Sequence, residues 1–172
     1  MVLRIKITIL GEPNVGKTSL ISRYCQNKFP TEYKATLGAD FTTKIILYKD
    51  KKVELVLWDI AGTTTIEIDQ MSDFYLQGSM GCLLVFDLTT AKSLKKLSFW
   101  HEKAHRICKD IPLFVLGNKN DLVEFIEVGK SDIESLENAD KWAGYLRTSA
   151  LTGENVEKAI LSLVDIILSG EH

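Results

Sequence analysis

The chain has 172 residues, 45% hydrophobic and 26% charged, with a formal net charge of −2. That suits one compact domain with a full core and carries no charge excess of the kind a general nucleic-acid binder or a polybasic membrane surface needs. Three scattered cysteines, Cys25, Cys82 and Cys108, fit free thiols in a reducing compartment better than a disulfide framework or a metal site.

The first predicted strand is Val2–Leu10, followed at once by a glycine-rich turn and a helix from about Lys17 to Cys25. Phe41–Tyr48 and Val53–Asp59 alternate apolar and polar residues on either side of the charged turn Lys49–Lys52, which predicts an antiparallel hairpin at a sheet edge. Gly81–Asp87, Pro112–Gly117 and Tyr145–Thr148 are near-continuous apolar strands, as expected for burial on both faces. Leu94, Leu97, Trp100, Ala104 and Ile107 recur at helical spacing, as do Val156, Ile160, Leu163 and Ile167. His101 and His105 lie one turn apart on the first of these helices, but no cysteine or carboxylate stands at a spacing that would complete a metal site. No repeat or linker divides the sequence. Strands alternating with helices predict a single α/β domain over residues 1–172: a mixed, mostly parallel six-stranded sheet flanked by helices. No apolar run reaches the roughly 18 residues of a membrane span, and no signal-peptide layout opens the chain.

Gly11-Glu12-Pro13-Asn14-Val15-Gly16-Lys17-Thr18 matches the pattern G-x-x-x-x-G-K-[ST] and sits between a strand and a helix, the context the pattern requires. Glycines let the backbone of Asn14, Val15, Gly16 and the following Ser19 turn N–H groups toward a phosphate, and the helix N-terminus adds positive potential. Lys17 supplies a cation for the β- and γ-phosphates, and the Thr18 hydroxyl can ligate Mg²⁺. Asp59-Ile60-Ala61-Gly62 adds a strand-end carboxylate for the same metal and, at Gly62, a backbone N–H for the γ-phosphate. Asn118-Lys119-Asn120-Asp121 follows another strand. The Asp121 carboxylate can accept from the ring N–H and exocyclic amine of guanine, a donor pair that adenine lacks; Lys119 can lie along the base, and Asn118 can tie the loop together. Thr148-Ser149-Ala150 ends the next strand and can offer a backbone N–H to the guanine carbonyl.

These residues resemble the Ras superfamily, P-loop NTPases with a small G-domain, and within it the Rab branch. The likeness extends through Asn27–Phe41, Trp58–Gly62 and Thr148–Val156. The resemblance implies a GTP/GDP switch with Mg²⁺ held by Thr18, Thr36 and Asp59. It implies catalytic roles for Lys17, Thr36, Gly62 and the residue at position 63, a base cover from Phe29, and nucleotide contacts from Tyr33, Ser149, Ala150 and Leu151. Phe41, Trp58 and Tyr75 resemble the aromatic trio that Rab proteins present to effectors; core packing is the competing reading for aromatics beside strands. An exchange factor and an activating protein are implied as further partners, with a monomeric, cytoplasmic chain expected and no nucleic acid. Rab relatives carry C-terminal cysteines for lipid attachment; this sequence ends Leu168-Ser169-Gly170-Glu171-His172 without one, so membrane association is expected only where a tail extends further.

The sequence departs from the family at Thr63, where a glutamine amide usually orients the attacking water. A threonine hydroxyl is shorter and sits on a stiff β-branched carbon. Thr64–Gln70 also lacks the family's switch II pattern. None of the four arginines, Arg4, Arg23, Arg106 and Arg147, falls in either switch segment, roughly Lys28–Leu37 and Ile60–Asp73. Pro13 stands at the loop position nearest the γ-phosphate, and Leu151 replaces a lysine common in the base loop. GTP hydrolysis is therefore expected to be slow, about 10- to 100-fold below a glutamine-bearing relative, or roughly 1.4–2.7 kcal/mol of transition-state stabilisation. The alternative is a GTP-holding scaffold that does not hydrolyse. An ATPase or kinase conflicts with Asp121.

Overall fold

The computed structural model describes residues 2–32, 34–62 and 72–170. Six strands, β1 (Leu3–Leu10), β2 (Ala39–Tyr48), β3 (Lys51–Ile60), β4 (Gly81–Asp87), β5 (Leu113–Asn118) and β6 (Gly144–Arg147), form one sheet in the order β2-β3-β1-β4-β5-β6. All neighbours are parallel except β2 and β3. The helices are α1 (Lys17–Gln26), α2 (Ala91–Lys95), α3 (Leu97–Cys108), α4 (Lys130–Glu134) and α5 (Val156–Ser169), with a helical segment at 72–76.

The alternating strand pattern builds two cores. Ile5, Ile7 and Ile9 of β1, with Leu55 and Leu57 of β3, face α1 and α5, where Leu20, Tyr24, Ile160 and Leu163 cover them. The opposite face buries Leu84, Phe86 and Val115 beneath Leu97, Trp100 and Ala104 of α3 and Leu76 of the 72–76 segment. Strands β4 and β5 are buried along their whole length, which their unbroken apolar runs require.

Most strand ends shift by one or two residues from the sequence expectation, β2 beginning at Ala39 and not Phe41 and β5 running Leu113–Asn118 and not Pro112–Gly117. Three further differences concern the hairpin turn, a helix and the last strand. The hairpin turn contracts from Lys49–Lys52 to Lys49-Asp50, and Lys51 and Lys52 join β3. Both turn residues have positive φ, 44° and 64°, as a two-residue loop matched to the strand twist demands. The helix expected across Leu94–Ile107 is two, because Lys96 adopts φ −79° and ψ −9° between α2 and α3, a tighter step than α-helix. The last strand begins at Gly144, one residue before Tyr145, and ends at Arg147, leaving Thr148 to the loop.

Topology aims the site. The five parallel strands end on one edge, so the segments after β1, β3, β5 and β6 meet there, the position at which open α/β sheets bind ligands. The antiparallel pairing of β2 starts with Ala39 opposite Ile60. The chain before β2 therefore arrives beside the carboxyl end of β3, bringing Thr36 to Asp59.

Candidate nucleotide and metal site

Between β1 and α1 the chain wraps into a loop that ends at Gly16, left-handed at φ 98° and capping α1. A Cβ on Gly16 would lie 2.3 Å from Asn118 Nδ2, so only glycine admits this approach of the two loops. Lys17, 6% exposed, folds back over the loop and donates to the Gly11 and Glu12 carbonyls, each at 2.8 Å. Burial pushes its ammonium down to about 8, against the opposing charges of Asp59 and Glu12.

The three predicted metal residues come together. Thr18 and Thr36 both donate their hydroxyls to Asp59 Oδ2, Thr36 at 3.2 Å, and the two hydroxyl oxygens are 3.1 Å apart. Asp59 Oδ1 is buried without a hydrogen-bond partner among the described residues. Burial raises the Asp59 carboxyl pKa, opposed by the Thr18 bond, the Lys17 charge and the Thr36 bond, while Asp40 adds to the rise. An orphaned carboxylate oxygen with two hydroxyls around its partner is a hard oxygen donor set, the kind that suits Mg²⁺. Gly62 closes this side. A Cβ there would stand 2.5 Å from Glu12 C, Gly11 O and Pro13 N, so its backbone lies directly against the phosphate loop.

The base end is built around Asn118, which is 1% exposed. Its Nδ2 donates to Val15 O at 2.9 Å; its Oδ1 accepts from Ala150 N at 3.2 Å and Thr148 Oγ1 at 3.3 Å. One side chain thus ties together the loops after β1, β5 and β6. Ser149 Oγ donates to Asp121 Oδ1 at 2.6 Å and fixes that carboxylate. Lys119 is held by Asp87 at the end of β4, 2.6 Å away.

A cavity of about 680 Å³ runs from one end to the other, within the usual range for a small-molecule site. Asn14, Gly16, Lys17, Thr18, Ser19, Phe29, Thr36, Gly62, Asn118, Lys119, Asp121, Ala150 and Leu151 line it. Two predicted nucleotide residues do not. Val15 points its side chain into the core and offers only backbone, and Ser149 is fully buried behind Asp121. Tyr33 and Thr63 lie outside the described residues. The sequence reading did not single out Pro30, Lys34 and Leu122 as cavity residues, nor Asp87 as the partner of Lys119. An aspartate ending an apolar strand on the same sheet edge was the available signal for Asp87.

Phe41 and Trp58 stack at 5.1 Å, and Trp58 meets Tyr75 at 5.6 Å. Phe41 is 55% exposed and the other two are half-buried, so the three make a surface strip. His101 and His105 sit 4.5 Å apart, ring to ring, with no group of three metal-ligating side chains among the described residues. No described helix is long and apolar enough to cross a membrane.

Residues 6–169 match the family described as Ras family. Ras-related protein RABG3a of Arabidopsis thaliana is 35% identical, over 98% of this chain and 84% of its own length. Ras-related protein Rab7 of Glycine max has the same identity and coverage, and Ras-related protein Rab-27B of Homo sapiens is 37% identical over 95% of this chain and 79% of its own. With a phosphate loop, a threonine–aspartate cluster and a guanine-type loop on one cavity, and with these relatives, the chain belongs to the Ras family of small GTPases, in its Rab branch.

Proposed function

We propose that this protein is a switch that binds GTP and GDP with Mg²⁺ on the residues described above and hydrolyses GTP slowly because of Thr63, residues 1–172 acting as a single G domain. The observation that carries the reading is the convergence of Thr18 and Thr36 on Asp59 beside Lys17, in the cavity that Asp121 also lines. Thr18, Thr36 and Asp59 would hold the metal. Bound Mg²⁺ supplies positive charge to the β- and γ-phosphate oxygens.

The chain's own contribution is largely positional. Lys17 exchanges the Gly11 and Glu12 carbonyls for phosphate oxygens, which offsets the cost of burying its charge. The backbone N–H groups of Asn14 to Ser19 cradle the phosphates, and Gly62 meets the γ-phosphate from the opposite side. Asp121, braced by Ser149, reads guanine, with the backbone of the Ala150–Leu151 loop beside its carbonyl and Phe29 and Leu151 against the base. At the attacking water, Thr63 offers no amide, and none of the four arginines stands in the switch segments. Loss of the γ-phosphate removes an anchor from both Thr36 and Gly62. The segments around 28–37 and 60–73 then relax together.

Effectors would dock on the strip of Phe41, Trp58 and Tyr75, whose surface (aromatic, partly exposed and beside both switch segments) suits a state-sensitive partner. An exchange factor and an activating protein would act on the same switches. Free thiols at Cys25, Cys82 and Cys108 fit a cytoplasmic protein. The second reading, a scaffold holding GTP almost permanently, is favoured by Thr63 alone. The nucleotide extracted from purified protein tests both. Mixed GDP and GTP, with GDP accumulating on incubation, supports the switch; GTP that persists for days supports the scaffold; ATP or no nucleotide would refute the guanine-nucleotide reading.

A further inference from the structure

Arg23 lies half-buried on α1, and neither the phosphate nor the metal chemistry uses it. Its guanidinium is nevertheless committed on all three nitrogens. Nε donates to Ala150 O at 2.9 Å and Nη2 to Leu151 O at 2.6 Å, two successive carbonyls of the loop after β6. Nη1 donates to Asn27, to the side-chain oxygen at 3.1 Å and the carbonyl at 3.3 Å. Asn27 ends α1 in the left-handed region at φ 52°, two residues before Phe29. A Cβ on Gly153 would stand 3.5 Å from Arg23 Cδ, so the loop closes over the arginine stem. No carboxylate accepts from Arg23 in these bonds.

Ala150 and Leu151 form one wall of the base end of the cavity, and Phe29 forms another. We propose that Arg23 is a positioning residue for guanine specificity: a single guanidinium braces both walls of the base site by holding the Ala150 and Leu151 carbonyls on one side and Asn27, at the root of Phe29, on the other. The planar fork of arginine is what permits this; a lysine ammonium carries its three donors on a single nitrogen and cannot span both walls at once. The Ala150 carbonyl shares its peptide plane with the Leu151 N–H, so holding it fixes the direction of that N–H on the base wall, where guanine presents its 6-carbonyl; the Ala150 N–H is itself held by Asn118 Oδ1. The inference rests on the guanine-nucleotide reading above.

The test measures release of GDP and of 6-thio-GDP, in which sulfur is the poorer acceptor, from the full chain and from Arg23→Lys and Arg23→Met, with melting temperatures alongside. GDP release is expected to be about tenfold faster from Arg23→Met, with Arg23→Lys between it and wild type, as charge-assisted hydrogen bonds are lost. The gap between GDP and 6-thio-GDP should shrink in both variants. Slow GDP release from wild type and both variants alike would overturn this inference and leave the nucleotide reading standing. Faster release with an undiminished gap would also overturn it, because Arg23 would then act on the fold and not on the base wall. Wild-type protein that releases GDP and ADP equally fast would overturn the guanine reading and this inference together.

Discussion

At the scale of single residues, the site depends on a few side chains whose loss has distinct signatures. Asn118 is buried and holds Val15 O, Ala150 N and Thr148 Oγ1. Asn118→Ala leaves a buried carbonyl and a buried N–H without partners, so unfolding in denaturant should show a loss of about 2–3 kcal/mol. GDP release should quicken as well. Asp121→Asn replaces an acceptor with an amide that presents a donor to guanine's own donors. Guanine nucleotide affinity should fall by at least about a hundredfold, the equivalent of two charge-assisted bonds. Xanthine nucleotides, which carry an acceptor in place of the exocyclic amine, should gain; titration calorimetry with GDP and XDP checks both directions. Gly62→Ala forces a methyl to within 2.5 Å of Glu12 C, Gly11 O and Pro13 N, all backbone atoms. Single-turnover GTP hydrolysis should drop by about tenfold, or roughly 1.4 kcal/mol of barrier. GDP affinity, which does not use a γ-phosphate contact, should change far less.

At the scale of elements, α3 carries a testable oddity. His101 is 4% exposed, and neither ring nitrogen has a hydrogen-bond partner among the described residues. Burial, then the neighbouring charges of His105 and Lys141, push its pKa down to about 4, with Asp140 opposing. The unfolded chain takes up this proton near the ordinary value of 6.5 and the folded chain only near 4. Below pH 6.5 the unfolded state therefore binds more protons, and stability falls as pH drops through that window. His101→Phe should flatten part of the decline; urea unfolding of both proteins between about pH 7 and pH 4 measures it, and parallel curves would contradict it. The same helix shows how far periodicity reads. Leu94, Leu97, Trp100 and Ala104 are buried as their spacing requires, yet the spacing ran through Lys96, whose ψ of −9° splits the element. A single tighter step preserves the apolar face, so the pattern carried no trace of it. Helix α4 escaped notice for a related reason: it is five residues long with one buried apolar side chain, Ile133, and depends on the Asp132 carboxylate accepting from Gly129 N at 2.7 Å. The hairpin turn was placed correctly but drawn too long, because Lys51 and Lys52 look like loop residues and are charged positions of a strand beside the sheet edge.

At the scale of the whole molecule, the site is a consequence of topology. Five parallel strands deliver their ends to one edge, and the antiparallel β2 returns Thr36 to that edge beside Asp59. Lys17, Thr18, Asp59, Asn118 and Asp121 were legible in the sequence because each sits in a short motif with a fixed chemical task. Lys34 and Leu122 were not, since neither holds a motif position with a task of its own, and Asp87 was marked only as a strand-end aspartate because its pairing with Lys119 joins segments far apart in the chain. For the same reason the buried bonds of Asn118 to three loops could be anticipated only as "a tie", without partners. Hydrolysis is the point at which the motifs stop agreeing: Lys17, Thr18, Thr36 and Asp59 are arranged for a nucleotide-dependent switch, and position 63 carries a residue poorly shaped to place a water. The most direct measurement is single-turnover hydrolysis of bound GTP by wild type and Thr63→Gln. Thr63→Gln is expected to hydrolyse faster, by about 10- to 100-fold, or roughly 1.4–2.7 kcal/mol of barrier; a wild-type rate equal to or above that of the variant would contradict a poor water-positioning role for Thr63.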